Sequence, residues 1–228
     1  GKLLIRHRSR TGNRPVFFSL KGKEDMLKAL LTGPKKISVI SCVNPGKPDT
    51  HEVLVRIIRM GICGSDIHYY LHGTTTPGKK PKFPICIGHE CAGIVETCGS
   101  GVKSLRPGDR VFIEPNHSCG KCDMCKTEKP HLCRHGLFLG FPGQKDGCLQ
   151  EQIILPESSL FKLPRILSWK DAVLAEPLSI SLHAIHLAKI ADGQHIGIVG
   201  TGSIGMLLLK SLRLRFPKNK ISSADIVQ

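Results

Sequence analysis

The stretch Cys119-Gly120-Lys121-Cys122-Asp123-Met124-Cys125-Lys126-Thr127-Glu128-Lys129-Pro130-His131-Leu132-Cys133 places four thiols two, two and seven residues apart. Four thiolates in so short a loop can close on one tetrahedral zinc with Zn–S bonds of about 2.3 Å. All four positions are then taken by protein, so the metal at Cys119, Cys122, Cys125 and Cys133 is structural. Disulfides compete for the same thiols, but two-residue gaps make strained bridges.

Working outward, the chain has 228 residues, 40% apolar and 22% charged. It is long enough for one or two domains with a real core. No apolar run approaches the roughly 20 residues needed to cross a bilayer, so no membrane span is expected. The net charge of +15 raises a nucleic-acid reading. Much of that charge sits in residues 1–25, where seven Lys and Arg side chains face only Glu24 and Asp25. The remainder is scattered and lacks the basic and aromatic alternation that would stack bases, so a solvated surface explains it and no nucleic-acid partner is expected. Ten cysteines with no apolar signal sequence point to a reducing compartment, most simply the cytoplasm. Residues 1–25 read as a basic, disordered extension upstream of Met26.

From Met26 the pattern is mostly β. Residues 26–31, 37–40, 52–58, 93–96, 109–113 and 149–155 are apolar or β-branched runs separated by Gly and Pro turns, which predicts a twisted antiparallel or barrel-like sheet. Ser168 is a plausible N-cap at the start of helical periodicity. Between the strands lie Gly61-Ile62-Cys63-Gly64-Ser65-Asp66-Ile67-His68-Tyr69-Tyr70, a Gly- and Pro-rich loop over 73–84, and Gly88-His89-Glu90. Each piece alone is weak. Together Cys63, His89 and Glu90 offer thiolate, imidazole and carboxylate, the mixed set of a catalytic zinc that keeps one position open.

Toward the end of the chain, His195–Val199 reads as a short strand, Gly200-Thr201-Gly202-Ser203-Ile204-Gly205 follows at once, and Met206–Phe216 reads as a helix stopped by Pro217. Strand, glycine turn and helix in that order form a dinucleotide-binding pattern, with the pyrophosphate at the helix N-terminus. Gly200, Gly202, Ser203, Ile204 and Gly205 would line it. Asp225, 20 residues past Gly205, would accept from ribose hydroxyls, although Ser222-Ser223 makes a poor strand before it.

In this order the motifs resemble the zinc-dependent medium-chain alcohol and polyol dehydrogenases, over about Met26 to Val227. The resemblance also rests on Arg106-Pro107-Gly108-Asp109-Arg110-Val111 and Ala175-Glu176-Pro177-Leu178-Ser179. It is strongest toward the sorbitol (L-iditol) branch, because Glu-Pro stands where the ethanol-oxidising branch has a cysteine. The L-threonine and other secondary-alcohol dehydrogenases are the alternative, and a non-enzymatic four-cysteine module binding nucleic acid is the alternative of another class.

The resemblance implies a mixed α and β fold. A GroES-like, β-rich catalytic domain over 26–180 would be followed by the first part of a Rossmann cofactor domain over 181–228, the chain being a fragment of a longer protein. It implies two zinc ions per chain and NAD, a polyol or secondary-alcohol substrate, and a homo-oligomer. Ser65 and His68 would relay the hydroxyl proton, and Tyr69 and Glu176 would contact substrate or the zinc-bound water. Cys91, Cys98 and Cys148 depart from the family pattern at positions that are not ligands.

Overall fold

The structure, a computed structural model, describes residues 25–75 and 81–226, so all but one residue of the basic extension lies outside it. The elements in order are β1 (Asp25–Gly33), β2 (Lys36–Val43), β3 (Glu52–Met60), α1 (Gly64–His72), β4 (Cys91–Cys98), β5 (Arg110–Ile113) and β6 (Asn116–His117). They continue with α2 (Asp123–Lys126), β7 (Leu137–Phe138), β8 (Gln152–Pro156), β9 (Leu160–Lys162), α3 (Trp169–Ala172), α4 (Ala175–Ala188), β10 (His195–Val199), α5 (Ser203–Arg215) and β11 (Lys220–Ala224).

Five of the strands form an antiparallel sheet in the order β8-β3-β4-β5-β9. Its core follows from period-2 alternation, which sends every second side chain to the same face. Val53 and Val55 of β3, Val95 of β4, Val111 and Ile113 of β5 and Ile153 and Leu155 of β8 meet in one buried cluster. The β1–β2 hairpin is a two-stranded sheet of its own, bridged from Lys28 to Gln150, just before β8, and from Leu31 to Ile85. These bridges also explain a difference from the sequence expectation. Leu149 and Glu151 read as the start of a strand, but they exchange backbone hydrogen bonds with Ala29 and Leu27 of β1 before β8 begins.

The helical part starts as expected, with the Ser168 hydroxyl accepting the Asp171 N–H at 3.2 Å. The helix α3 is only one turn, and a turn at Val173-Leu174 re-aims the chain into α4. Pro177 fits because it lies in the first turn of α4, where its missing N–H has no intrahelical partner to lose. The helix α4 runs through the expected domain boundary at 180/181, carrying Glu176 at its start and Ile185 in a second core with Ile198 and Leu212.

That second core belongs to β10, α5 and β11, with β10 and β11 paired in parallel from His195 opposite Lys220 to Val199 opposite Ala224. Ser222 and Ser223 therefore do lie in a strand; parallel pairing uses the backbone, and the buried side chains come from α4, β10 and α5. The helix α5 begins three residues earlier than its apolar pattern suggested, since Gly202 is its N-cap and Ser203 to Gly205 are already helical.

Candidate active site

Two segments bring Cys63, His89 and Glu90 together. Cys63 is the N-cap of α1, separated from the end of β3 by Gly61 and Ile62, while His89 and Glu90 immediately precede β4, the neighbour of β3 in the sheet. The Gly61 N–H donates to the Glu90 carbonyl at 2.7 Å, so the two ligand-bearing ends are clipped backbone to backbone. One ligand atom from each of Cys63, His89 and Glu90 lies within 4.8 Å of the others. Gly61 is required by this approach: a Cβ there would stand 2.3 Å from Glu90 Oε2.

Asp66, to which sequence reasoning assigned no role, organises the group. It is 2% exposed. One carboxylate oxygen accepts the Cys63 N–H at 3.1 Å and the other the Gly88 N–H at 3.2 Å, and it stands 4.0 Å from His89 Nδ1. One buried carboxylate thus ties the Cys63 segment to the Gly88-His89-Glu90 segment and faces the imidazole. A signal was available, since an acidic residue three positions after the residue that starts a helix is capping-box spacing. Phe138 of β7 packs edge-on against the His89 ring, with centroids 5.3 Å apart, and limits its rotation.

The charges are mutually adjusted. A hydrogen bond with His89 outweighs partial burial and holds the Cys63 thiol below its ordinary pKa, with Ser65 adding a further hydrogen bond. Burial pushes Glu90 up, against the opposing pull of His89 and Cys63. Burial also raises Glu176, which feels His89 and Glu90 electrostatically, so the start of α4 brings a second carboxylate to the same cluster. Perturbed carboxylates, imidazole and thiol converging in one place mark a functional site.

The other expected residues are on α1. Ser65 is beside Cys63 and His68 is exposed. Tyr69 is 6% exposed and packs with Leu31, Ile85 and Ile87, its hydroxyl accepting from Thr75 Oγ1 at 3.2 Å. Cys91 and Cys148 are buried in the main core, with Cys98 packed against it.

The four-cysteine lobe is compact. Cys122 Sγ lies 3.5 Å from Cys125 Sγ and 3.8 Å from Cys133 Sγ, and Cys119 Sγ lies 4.0 Å from Cys125 Sγ. A tetrahedral zinc–thiolate site with Zn–S bonds of about 2.3 Å has sulfurs roughly 3.8 Å apart, so the four thiols fit a zinc ion. Backbone N–H groups of Cys119 and His135 point at Cys133 Sγ, as suits a thiolate. Arg134 closes the lobe by a bidentate pair to Asp123, both bonds 2.7 Å.

At the glycine turn, Gly205 packs so closely that a Cβ would stand 2.0 Å from the Gly200 carbonyl oxygen, which is how α5 approaches β10. Asp225, just past β11, reaches back to this turn and accepts from the Thr201 N–H at 2.5 Å and the Thr201 hydroxyl at 2.9 Å. The expected acid therefore stands at the turn.

Residues 49–165, half the chain, match the alcohol dehydrogenase GroES-like domain family. The D-xylulose reductase A of Aspergillus oryzae is 36% identical over 200 residues, covering 88% of this chain and 55% of its own length. The L-idonate 5-dehydrogenase of Vitis vinifera is 37% identical over 190 residues, covering 83% and 51%. Among solved structures, an alcohol dehydrogenase of Escherichia coli CFT073 complexed with NADH superposes with a TM-score of 0.80 at 30% identity, over 90% of this chain and 58% of that one. The chain spans about half the length of the curated relatives it matches. With its antiparallel GroES-like sheet, its two clusters of residues able to hold a metal ion and its strand, glycine turn and helix, the chain belongs to the family of zinc-dependent medium-chain alcohol and polyol dehydrogenases.

Proposed function

We propose that this chain carries the zinc site and the start of the cofactor site of an enzyme that oxidises a secondary hydroxyl of a sorbitol-like polyol with NAD. The observation that carries the reading is the convergence of Cys63, His89 and Glu90 with Glu176 beside them. The relatives named xylulose reductase and idonate dehydrogenase favour a polyol over L-threonine. We place the enzyme in the cytoplasm and expect a homo-oligomer, with no nucleic-acid partner; among the described residues no helix is long and apolar enough to cross a membrane.

Cys63, His89 and Glu90 would hold the catalytic zinc, and Cys119, Cys122, Cys125 and Cys133 the structural one. Bound there, the catalytic ion supplies a Lewis acid that lowers the pKa of a substrate hydroxyl, and NAD bound at Gly200–Gly205 and Asp225 supplies the hydride acceptor. Glu90 and Glu176 cannot both be permanent ligands of a four-coordinate ion that leaves room for substrate. Glu90 would be the ligand. Glu176 would accept a hydrogen bond from the substrate hydroxyl and orient it. Asp66 holds His89 in its ligating orientation. Ser65 Oγ receives the hydroxyl proton and passes it to a ring nitrogen of His68, which faces solvent. The Tyr69 ring is taken up by packing, so its hydroxyl edge makes any substrate contact.

The test is zinc content and sorbitol oxidation in the full-length protein. Glu90→Ala should lower catalytic zinc occupancy, whereas Glu176→Ala should keep the metal and lose about 10- to 100-fold in kcat/KM. The assignment fails if Glu176→Ala loses the metal and Glu90→Ala keeps it.

A further inference from the structure

The helix α1 carries a second group of metal-ligating side chains outside the Cys63 cluster. His68 and His72 are four residues apart and so lie on one helix face, one turn from each other. Both are exposed, and their ring centroids are 5.6 Å apart with the planes at 38°. We propose that His68 and His72 form a third metal site, selective for Zn²⁺ and similar borderline divalent cations, and that its occupation inhibits the enzyme.

The geometry fits two imidazoles on one ion. An imidazole nitrogen binds Zn²⁺ at about 2.0–2.1 Å, which puts the ring centre roughly 3.2 Å from the metal. Two centres 5.6 Å apart then subtend roughly 120° at the ion, near the tetrahedral angle, and water completes the shell. Imidazole ligands favour Zn²⁺, Ni²⁺ and Cu²⁺ over Mg²⁺ and Ca²⁺. The other exposed histidine pair, His131 and His183, is arranged differently. Its ring separation is similar at 5.7 Å, but its rings meet edge to face at 61° and its two residues come from separate segments, the four-cysteine lobe and α4, not from one helix face.

The inhibitory consequence rests on the proton relay proposed above. An ion on His68 occupies a ring nitrogen that would otherwise accept the proton from Ser65. Binding, by contrast, stands on the pair alone.

Calorimetry with ZnCl₂ on the chain already loaded with its two zinc ions tests the site. One further ion should bind per chain. His72→Gln should weaken it on the order of 100-fold, because the second imidazole binds intramolecularly, while His183→Gln should leave it unchanged. The site is refuted if no further ion binds, if His72→Gln titrates like the wild type, or if His183→Gln removes the ion. In the full-length enzyme, added Zn²⁺ should inhibit polyol oxidation by the wild type and spare His72→Gln. Equal inhibition of the two refutes the inhibitory role. A full-length protein with no polyol activity would overturn the proposed reaction and leave calorimetry to judge the site.

Discussion

Gly61→Ala separates metal binding from folding at a single methyl group. The added Cβ would stand 2.3 Å from Glu90 Oε2, 3.1 Å from Glu90 Cβ and 3.3 Å from Glu90 Cδ. An ordinary carbon–oxygen contact needs about 3.3 Å, so the carboxylate must retreat by about 1 Å. Metal–ligand distances tolerate only about 0.2 Å, and a ligand displaced several times that far no longer binds. Oε2 is the end of a side chain that can swing aside, and Glu90 Cβ at 3.1 Å must give by only a few tenths of an ångström, so the fold should lose about 1 kcal/mol. The backbone bond from Gly61 to the Glu90 carbonyl is kept by alanine. Metal analysis of the purified variant beside a urea melt should show a near-normal midpoint, an intact structural zinc and catalytic-site affinity lower by at least about 10-fold. A variant that holds both ions as tightly as the wild type would refute the argument that Gly61 makes room for Glu90.

Cys119→Ser should remove one zinc and lower the melting temperature, because structural zinc contributes directly to folding; unchanged stability and metal content would count against the lobe. Asp225 should make the full-length enzyme prefer NAD to NADP in kcat/KM, since a carboxylate repels a 2′-phosphate, and Asp225→Ser should narrow the ratio. Equal use of both cofactors by the wild type would contradict this. Asp109 accepts from the Arg106 N–H at 3.0 Å and from Lys162 at 2.9 Å, and although burial works against its charge these partners hold its pKa below the usual range. A carboxyl depressed in the folded state stabilises above its unfolded pKa of about 3.9 and loses that contribution as the pH falls through the folded value. Because solvent screens these partly exposed charges, Asp109→Asn should cost no more than about 1 kcal/mol at neutral pH, with the gap to wild type closing in urea melts below about pH 4. A gap independent of pH would refute the assignment.

The two candidate metal clusters were legible because ligand chemistry leaves a mark at short range. Four cysteines within fifteen residues have few other uses. Cys63 and the His89-Glu90 pair are 26 residues apart, and it took the β3–β4 pairing, which sequence periodicity does not specify, to put them side by side. Asp66 escaped because an acidic residue early in a helix is ordinarily a cap facing solvent; only the return of Gly88 and His89 over it makes it a buried carboxylate with three neighbours. The role of Gly61 was equally hidden, since it depends on a contact with residue 90. For Tyr69 the motif suggested a substrate contact, and the packing of its ring against Leu31, Ile85 and Ile87 is a tertiary fact that no motif carries. The doubt over Ser222-Ser223 came from side-chain propensity, which yields when strand pairing is made by backbone and the core is supplied by neighbours.

Zinc-edge X-ray absorption combined with metal quantification on the purified chain addresses the central claim most directly. Two zinc ions per chain should be found, sharing the five thiolates of Cys63, Cys119, Cys122, Cys125 and Cys133. One should have only sulfur neighbours at about 2.3 Å and the other should add nitrogen and oxygen at about 2.0–2.2 Å. A folded chain holding a single, all-sulfur zinc would contradict the catalytic site at Cys63, His89 and Glu90.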